Sequence, residues 1–522
     1  MVTVQLETCA AMTDWTSGYV SQIDYAFAYH PELNPLRSRL ALLDRGLQPT
    51  ALTTACELGF GQGVSLNIHA AASATPWWGV DFLPSQAAAA QAMADASSAD
   101  VHLSEQGFDE FCARTDLPDF DFIALHGVWS WISSQNRGVI VDFLRRKLRP
   151  GGVAYLSYNT LPGRAPMVPV RALMMAHADS MSPPGQPIAS KIDAAFAFVE
   201  GLLAAKPLYA AADPGLGDRM KSLAARDRAY LAHEYFNRDW RPMHFAEVAT
   251  LLEPAKLTYA GSAHMPDHVE AINLTAEQQG FLREIPDASF RETVRDFMVN
   301  QQFRRDYWIK GPRRLTQLQL TEAQRAERVV LVRPGSEVVL TLTGPLGEAA
   351  LLEATYGPIL DAMAGHRPMR VDEIAKAVEG AGVTLPQVLQ ALMLLSGKGD
   401  VASANDDDAI EAAKPGVDRL NATLMARARV GQDAGVLASP VTGGGVGVSR
   451  VDQLFLLARA QGRTTPKDAA AWVWELLASQ GQGMVRDGKT LEAADDNLAE
   501  LRTQAKSFTD ARLSALQALG AA

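Results

Sequence analysis

Cysteine is scarce in this chain: 522 residues hold Cys9, Cys56 and Cys112, an odd number with no C-x-x-C pair. That usage fits a reducing compartment and offers no structural zinc site, so a cytoplasmic protein without a metal is expected. Long apolar runs are missing as well. Nowhere do 18 apolar residues follow one another, and the opening Met1-Val-Thr-Val-Gln-Leu-Glu-Thr lacks the profile of a secretory signal, so no membrane anchor is expected. Basic clusters are absent too. Against 59 Asp and Glu stand 48 Lys and Arg, a formal charge of −11 that repels a phosphate backbone and argues against nucleic acid as a partner. What remains is a globular composition, 48% hydrophobic, in a length suited to several domains.

Short β-like runs at 53–58, 77–82, 101–105, 120–126 and 152–158 alternate with helical stretches near 65–74, 85–96 and 133–148. The alternation predicts an α/β fold with a Rossmann-like, doubly wound sheet. Apolar strands such as Phe122-Ile-Ala-Leu and Val153-Ala-Tyr-Leu fit burial on both faces. Residues 1–50 read as an N-terminal lid and helical segment, and 51–164 as the core. Residues 165–312 read as a helical insertion that returns to the sheet, with a last strand at 304–310. Three helices and a turn in 328–410 suggest a winged-helix-like unit. Its third helix, Leu385-Pro-Gln-Val-Leu-Gln-Ala-Leu-Met-Leu-Leu, carries no Lys or Arg for phosphates or bases, so a structural or partner-binding use is favoured over DNA. Residues 411–522 are expected to be mostly helical.

Directly after the first strand comes Glu57-Leu-Gly-Phe-Gly-Gln-Gly63, a glycine-rich turn opening a helix. By itself it fits a dinucleotide site, a phosphate site or a tight turn, and its spacing differs from the G-x-G-x-x-G nicotinamide fingerprint. At the end of the second strand, 22 residues beyond Gly59, stands Asp81. A carboxylate there accepts hydrogen bonds from ribose hydroxyls, and a helix N-cap is the bland alternative. Coupled to the glycine turn, it points to a nucleoside-bearing ligand. Phe82 offers an apolar face to a purine, and the Gln106-Gly-Phe108 turn offers backbone groups to the base edge.

These residues resemble the class I S-adenosylmethionine-dependent methyltransferases. The resemblance sharpens in Phe120-Asp-Phe-Ile-Ala-Leu-His-Gly-Val-Trp-Ser-Trp131 and Leu148-Arg-Pro-Gly-Gly-Val-Ala-Tyr-Leu-Ser-Tyr-Asn-Thr-Leu-Pro-Gly163, which look like blocks of bacterial methyltransferases carrying a regulatory domain. His233-Glu-Tyr-Phe and Asp296-Phe-Met-Val-Asn-Gln-Gln-Phe-Arg304 look like that regulatory region, and the likeness spans roughly 19–310. Phe60 stands where Cys is usual, and Gly107 where Ser is common. The resemblance implies S-adenosylmethionine as cofactor, held by Glu57, Gly59, Phe60, Gly61, Gly63, Asp81, Phe82, Gly107, Phe108 and His126.

Among relatives of this kind the rickettsial protein lysine methyltransferases imply a protein substrate presenting lysine. A small-molecule acceptor, or a non-catalytic cofactor-binding regulator, are the rival readings. A lysine amine must be neutral to react, and aromatic walls desolvate it while stabilising cationic nitrogen or sulfonium by roughly 0.5–2 kcal/mol. The expected catalytic set is Tyr158, facing the acceptor nitrogen, with His126, Asn159 and Trp129. Tyr25 or Tyr29 as a lid, and Trp131, are the expected substrate-binding residues. His126 reads as a base or as a structural hydrogen-bonding group, with the second preferred.

Three further patterns are set aside. Gly483-Met-Val-Arg-Asp-Gly-Lys-Thr490 matches the phosphate-loop spacing, but a helix precedes it and the segment reads as a hairpin around Asp487-Gly488. Thr442-Gly-Gly-Gly-Val-Gly has no following lysine or helix. His264-Met-Pro-Asp-His268 lacks further ligands, and Pro266 disfavours a helical metal pair.

Overall fold

The computed structural model describes residues 16, 18–73, 75–183, 185–432 and 434–522, so Cys9 lies outside the described residues. Cys56 and Cys112 are buried free thiols. No helix among the described residues is long and apolar enough to cross a membrane. The chain forms two compact units, the larger being 27–129, 135–163 and 243–522.

The larger unit is built on a sheet of seven strands: β1 Ala55–Leu58, β2 Trp77–Asp81, β3 Val101–Glu105, β4 Phe120–Leu125, β5 Leu148–Asn159, β6 Leu257–Ser262 and β7 Phe303–Lys310. Their spatial order is β3-β2-β1-β4-β5-β7-β6, and β7 runs antiparallel to both neighbours. Strands β1 and β4 are buried throughout, which explains why their sequences are apolar apart from Glu57 and Asp121. Chain order reverses between β1 and β4, and that switch point leaves a crevice beyond the strands' carboxyl ends.

Helices α1 Pro35–Asp44, α2 Val64–Ser73, α3 Pro84–Ser97, α4 Phe108–Ala113 and α5 Ser134–Lys147 flank the sheet. Helix α2 is buried on every side because it is covered twice, its polar Ser65, Asn67 and His69 included. Leu66 and Ala70 belong to the sheet core, whereas Val64, Ile68 and Ala71 share a second core with Val417, Leu420 and Leu424 of the C-terminal helix Asp407–Ala428.

In the region after the sheet, strand Arg328–Leu331 is the middle of a three-stranded antiparallel sheet, between Met369–Arg370 and Val401–Ser403. Helices Glu353–Ala362, Val371–Ala377 and Leu385–Lys398 close over it around Val329, Ile359, Ile374, Val388 and Leu392. Strand Val401–Ser403 pairs with Arg328–Leu331, and the chain then enters Asp407–Ala428. Further on, Val485–Arg486 and Lys489–Thr490 form a hairpin whose turn residues Asp487 and Gly488 have φ of 52° and 75°. Two positive φ values match a type I′ turn, so the segment with phosphate-loop spacing is a tight hairpin.

The smaller unit comprises the described residues up to Ala26 together with those of Ser130–Ser134 and Arg164–Pro242. Helices Met167–Met181, Ile188–Ala204, Leu216–Ala224 and Arg228–Tyr235 enclose a core that includes Met174, Ile192, Phe196, Met220 and Leu231.

Candidate functional site

The turn between β1 and α2 is shaped by its glycines. Gly59 and Gly63 have φ of +77° and +71°, a region other residues adopt only with strain. Neither position has room for a side chain, since a Cβ at Gly59 would stand 2.6 Å from Val128 and one at Gly63 2.4 Å from Ala90. The Gly61 amide donates to Asp81 Oδ2 at 2.9 Å and the Leu83 amide to Oδ1 at 3.0 Å, which binds the end of β2 to the loop. Each Asp81 oxygen keeps acceptor capacity for a ligand hydroxyl.

Behind the loop, Glu57 is buried, and its Oε2 has no hydrogen-bond partner. Burial, reinforced by Asp81, raises the Glu57 carboxyl to about 8, and burial raises that of Asp81 to about 6. Across the crevice Gly107 caps α4, the half-buried Phe108 ring comes within 3.7 Å of a Cβ placed on Gly59, and the Gln106 amide donates to the Asp81 carbonyl at 3.2 Å. Gln106 Oε1 is buried without a partner. Phe82, directly after β2, is half-buried.

Beyond β4 lies a second group of polar residues. His126 Nδ1 is 2.8 Å from the Tyr155 hydroxyl and 3.4 Å from Ser157 Oγ, and Ser157 Oγ accepts from the Gly127 amide at 2.9 Å. The His30 ring stacks on His126 with centroids 3.9 Å apart. Burial, then His30 and Arg305, hold the His126 pKa well below its usual value against the pull of Glu32, so the imidazole is neutral. Arg305 Nη1 meets Glu32 Oε1 at 2.6 Å, and Nη2 lies 3.2 Å from His264 Nδ1. The sequence patterns do not mark His30, Glu32, Ser157 and Arg305 as a group, because they come from three separated segments with no shared spacing.

The geometry commits Tyr158, the Phe60 side chain and Tyr29 to other partners than expected, and places Asn159, Trp129, Tyr25 and Trp131 without testing their expected roles. Tyr158 alternates with Tyr155 and Ser157 along β5, so it points to the opposite face of the sheet; its hydroxyl donates to Asp306 at 2.8 Å in a fully buried setting. The Phe60 side chain packs into the sheet core with Leu66 and Trp77, leaving only its backbone at the loop. The Tyr29 hydroxyl accepts from the Gly445 amide at 2.8 Å and lies 3.0 Å from His69 Nε2, so it fastens the N-terminal segment rather than facing an acceptor. Asn159 is buried at the end of β5, where its carbonyl accepts from the Met243 amide at 3.1 Å. Trp129 is fully buried with an unpartnered indole N–H, and its carbonyl accepts from Arg137 at 3.0 Å. Tyr25 and Trp131 belong to the smaller unit.

Comparison with known proteins decides what this arrangement is. The Synechocystis sp. protein sll1526 is 38% identical over 511 residues, which cover 97% of this chain and 99% of that relative. Residues 227–310 match the family described as "Predicted methyltransferase regulatory domain". The chain belongs to one family with sll1526, and its residues 227–310 carry this regulatory domain. A second relative, RP028 of Rickettsia prowazekii, is 35% identical over 144 residues, 26% of this chain and 56% of that protein. Among solved structures, PKMT2 from Rickettsia typhi in complex with AdoHcy superposes with a TM-score of 0.66 at 19% identity, over 93% of this chain and 98% of the other. That likeness is one of fold, and it extends through the C-terminal region. The matched regulatory segment contains β6 and β7, so it completes the core sheet.

Proposed function

We propose that the protein is a methyltransferase that uses S-adenosylmethionine and acts on lysine ε-amines of a protein substrate. The observation that carries the cofactor is the cradle at the ends of β1 and β2: a glycine turn closed to side chains, Asp81 with acceptor capacity, and the buried, unpartnered carboxyl of Glu57. A carboxyl held near pH 8 by burial favours a nearby cation, and this cofactor carries a sulfonium and an ammonium. Asp81 is placed for the ribose hydroxyls, and Phe82 and Phe108 for the faces of the adenine. When bound, S-adenosylmethionine supplies an electrophilic methyl on sulfur, so this chain's residues need only position the acceptor and exclude water. The neutral His126, fixed by Tyr155 and stacked by His30, suits contact with a neutral amine, since it adds no like charge.

The lysine acceptor rests on the resemblance of the sequence blocks to bacterial methyltransferases with a regulatory domain, a group that includes the rickettsial protein lysine methyltransferases. The buried, unpaired Cys56 and Cys112 support a cytoplasmic setting. The test is to incubate the protein with methyl-labelled cofactor and a lysate of its source organism, then hydrolyse the labelled fraction. Label in methyl-lysine supports the reading. Label confined to small molecules replaces it with a small-molecule acceptor, and no transfer despite cofactor binding favours a non-catalytic regulator.

A further inference from the structure

Within the smaller unit, Tyr230 and Glu234 lie four residues apart on the helix Arg228–Tyr235, so both stand on one face. Glu234 is half-buried, and its carboxylate makes no hydrogen bond or ion pair among the described residues. Its carbonyl accepts the indole N–H of Trp131 at 3.3 Å, which seats that ring against the same turn. Tyr25 packs edge-on against His233, the preceding residue, with centroids 5.1 Å apart. The four-residue spacing puts Tyr230 one turn before Glu234 on the same helix face, while Tyr25 and Trp131 are held on that same turn through His233 and the Glu234 carbonyl; burial first, and then the negative charge of Glu234, push up the phenols of Tyr25 and Tyr230.

We propose that Glu234, walled by Tyr25, Tyr230 and Trp131, is a binding site for one alkylammonium group, the side chain of a lysine or methylated lysine on the protein substrate. The inference deepens the methyltransferase reading and rests on it for the identity of the substrate. Aromatic faces around a single carboxylate suit a monovalent organic cation: the rings attract charge that has no hydrogen bonds to offer, as in a methylated ammonium. A divalent metal would need several more oxygen ligands than one carboxylate supplies.

Burial raises the Glu234 carboxyl to about 7, outweighing the opposing pull of Arg164. A bound ammonium favours the ionised form, so binding strengthens as pH rises from 6 to 8, about tenfold for a carboxyl titrating at 7. The other facing groups hold their charge across this range. Tyr25, Tyr230 and Tyr235 have raised pKa values and stay neutral beside the guanidinium groups of Arg164 and Arg226, and buried His233, 2.8 Å from the Ile23 carbonyl, is pushed toward its neutral form.

The experiment titrates the full chain with Nα-acetyl-lysine methylamide and its Nε-trimethyl and Nε-acetyl forms by ligand-observed NMR. The cationic forms are expected to bind and the neutral acetyl form not to. Glu234→Gln should weaken the cationic forms at least tenfold, about 1.4 kcal/mol, and abolish the pH dependence. Tyr230→Ala should weaken them at least threefold, and Tyr230→Phe should retain them. Thermal melts establish that each variant is folded. Equal binding of the acetyl form, or undiminished binding to folded Glu234→Gln, would overturn the proposal. AdoHcy calorimetry on the same samples separates the two readings: unchanged AdoHcy affinity in Glu234→Gln is expected, whereas a wild-type protein that ignores AdoHcy sinks the methyltransferase reading alone.

Discussion

The Tyr158 hydroxyl donates to Asp306 Oδ2 at 2.8 Å, and the same carboxylate is held by Arg304 Nε at 2.9 Å. Arg304 also meets Asp296 at 2.7 Å and Glu292 at 3.1 Å and lies over the Phe245 ring, 4.4 Å from its centroid. The group joins β5 and β7 to the helix Ala288–Met298 and buries several charges that only one another's company makes tolerable.

Tyr158→Phe is therefore expected to act on stability. Losing a hydrogen bond to a buried charged group should lower unfolding free energy by about 1.5–3 kcal/mol in chemical denaturation, while AdoHcy affinity changes by less than about threefold. A loss of affinity at full stability would return Tyr158 to the binding site.

Asp81→Ala should weaken AdoHcy binding by about 1.5–3 kcal/mol in calorimetry, because it removes a charged acceptor for ligand hydroxyls. It also frees the Gly61 amide, so part of the effect comes from a loosened glycine turn. An affinity equal to wild type would remove Asp81 from the site.

Glu57→Gln makes a pH-dependent prediction. The folded protein raises this carboxyl from about 4.5 to about 8, so the folded state binds the proton more tightly than the unfolded one. That contribution is present at low pH and is lost as pH rises toward 8. The ligand-free Gln variant should thus gain stability relative to wild type at pH 8 compared with pH 5, yet bind AdoHcy more weakly. A stability difference independent of pH would show that Glu57 ionises freely.

Lys489→Ala should leave AdoHcy binding and any methyl transfer unchanged, since Lys489 is exposed on the second strand of a hairpin. ATP hydrolysis that disappears in this variant would restore the phosphate-loop interpretation of 483–490.

Local patterns carried much of the fold. The 4- to 6-residue lengths of β1 to β4, the glycine turn and the spacing to Asp81 are all consequences of nearby residues. Such features are legible because strand burial, turn conformation and helix starts respond to neighbours in the chain. Helix α4 went unread because its six residues, Phe108–Ala113, are too short to display a period. Phe60 was misplaced because a residue between two loop glycines carries no mark of which way its ring turns.

The sequence by itself determined an α/β sheet with a glycine cradle and an acidic residue at the neighbouring strand end. Only the tertiary structure decided which partners the aromatic side chains take. Tyr29 is committed to Gly445, 416 residues away, and Tyr158 to Asp306, 148 residues away. Trp131 reaches the carbonyl of Glu234 across 103 residues. A strand's alternation says that Tyr155 and Tyr158 face opposite ways but not which face lies open, and that choice belongs to β7, whose Tyr307 and Asp306 partner the two faces of β5.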